Sequence, residues 1–149
     1  MIFSFFKKIY PNDDKDSETL EIEFNVELIG CVLAYEVAKA DGDIDNEELA
    51  KIKAQINEKS LDLNLDPKEV FTRIEVHSNE SASFNDFINQ INNNFSQEQK
   101  LEMVSFMWET AYADNILKVD EERLIRRIAN MIRLKDIQVL KLKDQAKNI

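Results

Sequence analysis

Carboxylates are the chemically active groups this chain has in quantity. It carries 29 Asp and Glu against 19 Lys and Arg, with one His and one Cys, in 149 residues. Their densest run is Asp41-Gly42-Asp43-Ile44-Asp45, with Glu48 just beyond. Acids alternating ahead of a helix are what a hard, oxygen-seeking divalent cation needs, Ca²⁺ ahead of Mg²⁺ or Mn²⁺. Asp45-Asn46-Glu47-Glu48 is equally a capping sequence, with Asp45 as N-cap and Glu48 at the third helical position. Capping explains two of the acids without any metal, so both readings stand at this level.

The run has a second copy. Residues 33–49 (LAYEVAKADGDIDNEEL) align without a gap on residues 106–122 (FMWETAYADNILKVDEE) at an offset of 73. Five of the seventeen positions are identical: Glu36/Glu109, Ala38/Ala111, Ala40/Ala113, Asp41/Asp114 and Glu48/Glu121. Average residue usage would give roughly one such identity. The repeat predicts a duplicated helix–loop–helix, its copies related by a pseudo-twofold axis. Asp41 and Asp114 fall at helix C-termini, where the macrodipole disfavours negative charge, so something positive must face them. The candidate metal ligands in the two loops are Asp41, Asp43, Asp45 and Glu48 in the first copy and Asp114 and Glu121 in the second, while Glu36 and Glu109 lie beside the apolar stripes, where a backbone group or an Arg would satisfy them. The first loop is similar to the opening of an EF-hand loop, but Asn46 stands where Gly is expected and Ile52 where a bidentate Glu belongs. In the second, Asn115, Ile116 and Lys118 replace Gly42, Asp43 and Asp45, which makes the first loop the expected principal site.

Other chemistries find little support. Cys31 is alone in an apolar stretch, which rules out an internal disulfide and a CxxC pair and predicts a small core residue. His77 lies beside Ser78 and Ser81 but lacks a glycine-rich nucleophile turn. There is no phosphate loop, dinucleotide fingerprint or Cys/His metal spacing, so a non-enzymatic protein is expected. The net charge of −10 disfavours a nucleic-acid partner, whose affinity depends on neutralising phosphates. Other proteins are the expected partners.

The elements that position these acids are helices. Only two Gly and two Pro occur in the whole chain, too few for sheets and long turns. Apolar residues recur at three- and four-residue steps, predicting about seven helices in an all-α bundle, each burying a single stripe. The first runs from about Ser17 to Ala40 through Ile22, Val26, Ile29, Leu33 and Val37. The second carries Leu49, Ile52 and Ile56. Asp66-Pro67-Lys68-Glu69 starts a third, and Phe84, Phe87, Ile88, Ile91 and Phe95 mark a fourth. Ser96-Gln97-Glu98-Gln99 has the capping-box pattern and opens a fifth through Trp108. Leu124 to Ile132 forms the sixth and Asp136 to Lys147 the seventh. Arg123, Arg126, Arg127 and Arg133 make the sixth locally basic, suited to pairing with the hairpin acids. Residues 1–18 are read separately, as an amphipathic segment (Ile2, Phe5, Phe6, Ile9, with Lys7 and Lys8) and a polar linker. Residues 1–10 suit packing over the bundle or contact with a membrane surface or partner.

Three stretches in order, EVAKADGDIDNEE, FNDFINQINNNFSQEQKLEMVSFMWETAYAD and EERLIRRIANMIRL, resemble the tellurite-resistance protein B (TerB)-like family over about residues 25–145. The resemblance implies one helical domain, here 19–149, built of two pseudo-symmetric halves, in the cytoplasm of a bacterium. It implies a stress-response module with a metal-chelating centre formed by Asp41, Glu48, Asp114 and Glu121, with Glu36 and Glu109 as supporting acids. The chain departs from the family pattern at Asn115 and Lys118, which counts against a second metal site.

Overall fold

A computed structural model describes the backbone of residues 26–40, 42–78 and 84–147. Within these residues the chain is all helix, in seven elements: α1 (Val26–Ala38), α2 (Asn46–Asp62), α3 (Pro67–Ser78), α4 (Phe84–Asn94), α5 (Gln97–Ala111), α6 (Val119–Met131) and α7 (Asp136–Lys147). The segment 1–18, the predicted helical turns before Val26, and Asp41 lie outside the described residues, as do the side chains of His77 and Phe84.

The helix starts follow local chemistry. Ser96 Oγ accepts the Gln99 N–H at 3.2 Å while Gln99 Oε1 accepts the Ser96 N–H at 2.9 Å, a complete capping box for α5. Asp66 accepts from the Lys68 N–H at 3.1 Å ahead of α3, and Asp45 accepts from the Glu47 N–H at 2.8 Å ahead of α2. Stops are equally local. Asn64 and Arg133 adopt left-handed φ values of 58° and 66° just past α2 and α6. Leu65 and Leu134 then donate back to Ser60 O and Ala129 O at 2.8 and 3.0 Å, closing carbonyls that the helix ends leave open.

The single-stripe pattern holds for the outer helices and fails for α1. Leu28, Ile29, Cys31, Val32, Leu33, Ala34, Tyr35, Val37 and Ala38 are all buried. A helix apolar around its whole circumference has to be enclosed by others. Accordingly α1 is the hub: its largest contact is with α5, and it also meets α2, α3 and α6. Cys31 is buried in this core. On the far side, α5 packs against α7, where Trp108 is fully buried and its Nε1 donates to Val139 O at 3.1 Å. Ion pairs from Arg126 to Asp136 (2.9 Å) and Lys143 to Glu122 (2.6 Å) join α6 to α7. Arg126 thus pairs with a neighbouring helix and not with the hairpin acids.

Candidate metal centre

The two loops that carry the repeated acids follow α1 and α5, the most closely packed pair, so they emerge side by side. Their backbones match bond for bond at the offset of 73. Lys39 N–H donates to Tyr35 O as Tyr112 N–H does to Trp108 O, at 3.1 and 3.0 Å. Ala40 to Val37 and Ala113 to Thr110 are both 3.0 Å, and Gly42 to Lys39 and Asn115 to Tyr112 are 2.9 and 2.8 Å. Gly42 has φ 94° and Asn115 φ 65°. Asparagine tolerates the left-handed region better than other side chains, so Asn115 keeps the turn that Gly42 makes. Ala38 and Ala111, matched in the repeat, are both fully buried.

Past each turn the chain enters a helix through an extended residue in the same conformation: Asp45 at φ −68°, ψ 142°, and Lys118 at φ −80°, ψ 145°. Three residues further on, Glu48 and Glu121 are both 0% exposed. These two matched acids meet in the interior, side chain against side chain. Glu121 Oε1 accepts the Lys118 N–H at 3.4 Å. Among the described residues no group donates a hydrogen bond to Glu48 Oε1, Glu48 Oε2 or Glu121 Oε2. Burial pushes the Glu48 carboxyl up to about 9, and the hydrogen bond and charge of Glu121 push the same way, while the nearby Lys118 ammonium opposes them. Lys118 Nζ lies 3.7 Å from Glu48 Oε1. Buried like charges in contact need a proton or a cation between them.

Asp45, Glu48 and Asp114 each offer a carboxylate oxygen, and the three oxygens lie within 4.8 Å of one another. Calcium–oxygen bonds of about 2.3–2.6 Å put opposite ligands about 5 Å apart, so the spacing fits one such ion. With Glu121 behind, the donor set is all oxygen. Asp114 also accepts the Ile116 N–H at 3.0 Å, which fixes its rotamer in the loop.

The sequence placed the principal site in the first loop; the carboxylates that the fold brings together come from both loops, because the packing of α1 on α5 brings Asp114 to Asp45 and Glu48. Asp43 is exposed and outside the cluster. Asp41 lies outside the described residues. Glu36 and Glu109, read as supporting acids, do not join it either. Glu36 lines a cleft of about 270 Å³ with Arg127 and Leu124, and Glu109 a groove of about 560 Å³ with Phe106 and Glu102. Capping accounts for Asp45 but leaves Glu48 unexplained, since its carboxyl is turned inward. The residue that sequence reasoning passed over is Lys118, scored as a lost acid and found reaching the first copy's buried glutamate. The signal was the exchange of Asp45 for Lys118 between matched positions.

The family profile described as tellurite resistance protein TerB matches residues 27–144. The chain belongs to the TerB family. That match takes in all the described helices but the ends of α1 and α7, so the paired loops and their acids are part of the TerB domain itself. No curated protein and no solved structure matches the chain. Among the described residues no helix is long and apolar enough to cross a membrane.

Proposed function

We propose that this TerB-family chain is a non-enzymatic module that binds one divalent cation, Ca²⁺ in the first instance, between its two acidic loops. Asp45, Glu48 and Asp114 are the direct ligands and Glu121 supports them from behind. The observation that carries this reading is the pair of fully buried glutamates with three carboxylate oxygens that accept no hydrogen bond from the described residues. A cation at that point would supply positive charge to both helix C-termini and displace the proton on Glu48. In the cell, the loaded module would take part in the stress response that gives the family its name, acting through contacts with other proteins. Ile116 and Val119, 65% and 63% exposed beside the second loop, are apolar groups available for such contacts.

The deciding experiment is calorimetric titration of chelator-stripped protein with Ca²⁺, Mg²⁺ and Mn²⁺. One equivalent should bind, and binding should be lost in Glu48→Gln and in Asp114→Asn. At a hundredfold excess over the dissociation constant, an ion stabilises the fold by about 2.7 kcal/mol, raising the melting temperature by about 5–10 °C. No heat and no thermal shift with any ion would overturn the metal reading. The family module would then act as a metal-free adaptor, a reading favoured by the Lys118 ammonium already placed 3.7 Å from Glu48.

A further inference from the structure

The geometry points to Lys118 as a built-in counter-cation that occupies the place of a second metal ion and holds the carboxylate cluster to a single divalent cation. This inference rests on the metal reading above and adds what sets its stoichiometry. Asp45 and Lys118 are the same structural position in the two loops: matched at the offset of 73, alike in φ and ψ, and each the residue before its helix. Each stands three residues ahead of one of the two buried glutamates. In the first loop that position supplies a carboxylate to the cluster. In the second it supplies an ammonium, whose Nζ approaches Glu48 Oε1 at 3.7 Å.

Charge decides what the exchange does. Asp45, Glu48, Asp114 and Glu121 together offer four negative charges when fully ionised, which two divalent ions would balance. With Lys118 present, one divalent ion leaves a single negative charge. A second doubly charged ion would then make the cluster positive in a buried setting, where unbalanced charge is most costly. Lys118 also reaches toward one of the ligands, so it weakens the single ion it permits. Its side chain is 31% exposed, which allows the ammonium to swing outward when that ion arrives.

Lys118→Asp restores the acid that the first loop has. The extended conformation at 118 is the one in which Asp45 caps α2, so the new aspartate can cap α6 and face Glu121 as Asp45 accompanies Glu48. Titrated calorimetrically with Ca²⁺, wild-type protein should take one equivalent and Lys118→Asp two, with Glu48 and Glu121 lying between the ions. Lys118→Met removes the charge without adding a ligand. It should keep one equivalent and bind it about tenfold more tightly, about 1.4 kcal/mol. One equivalent in Lys118→Asp would overturn the inference. So would unchanged affinity in Lys118→Met, which decides the matter if the aspartate variant does not fold. The metal reading fails separately. If wild-type protein binds nothing while Lys118→Asp or Lys118→Met binds an ion, Lys118 excludes every ion from the cluster, which overturns the native metal site and with it the single-ion stoichiometry. No binding in any of the three overturns both.

Discussion

At the scale of single residues, the cluster is a problem of charge without donors. A surface glutamate at the third position of a helix caps or faces water; Glu48 does neither. Its raised carboxyl fixes the direction of the pH response in metal-free protein. A folded-state pKa near 9 against an ordinary 4.5 means the fold favours the protonated form. The contribution is therefore complete below about 4.5 and is lost as pH rises through about 9. Melting temperature of the chelated protein should fall across that window, and more in wild type than in Glu48→Gln, which carries no titrating group there. A steeper fall in the glutamine variant would remove Glu48 as the cause. Glu48→Gln should also melt higher than wild type near neutral pH without metal, because glutamine is buried without the proton that Glu48 must take up on folding. Adding Ca²⁺ should reverse the order.

At the scale of elements, a hydrogen bond to an unsatisfied helix end should outweigh an exposed ion pair. Ser96→Ala removes half of the α5 capping box and should cost about 1 kcal/mol, or about 2–4 °C in melting temperature. Arg126→Ala breaks the α6–α7 pair with Asp136, whose partners are 45% and 57% exposed. It should cost less than about 1 kcal/mol, and less again at high salt. Comparable losses from the two variants would contradict this ranking. Capping and turn signals were also the most legible part of the sequence. Asp45, Asp66 and Ser96 act as their residue types predict, since each bond spans only two or three residues. Asn115 keeps the turn that Gly42 makes, a value that lies in a backbone angle which residue identity permits without announcing.

At the scale of the whole molecule, α1 organises the bundle. Its buried residues meet α2, α3, α5 and α6, so a stability core exists without residues 1–10. Deleting that segment should leave a cooperative melt within a few degrees of the full chain. Extensive unfolding would show that Ile2, Phe5, Phe6 and Ile9 belong to the core. Trp108→Phe should cost about 1–3 kcal/mol, because it removes the indole hydrogen bond to Val139 O and leaves space in a fully buried site. A loss confined to α7, seen as faster amide exchange there, would place Trp108 as the anchor of that helix.

The sequence by itself determined the helices, their order and their capped starts, because apolar spacing and capping are written along the chain. It also named every acid that the cluster uses. Tertiary structure alone decided which of those acids meet. Glu48 and Glu121 are separated by 73 positions and touch only because α1 and α5 pack together and deliver their loops to one place. The same packing buries both carboxyls, joins Asp114 to Asp45, leaves Asp43 in solvent and turns Lys118 from a missing ligand into the charge that faces Glu48.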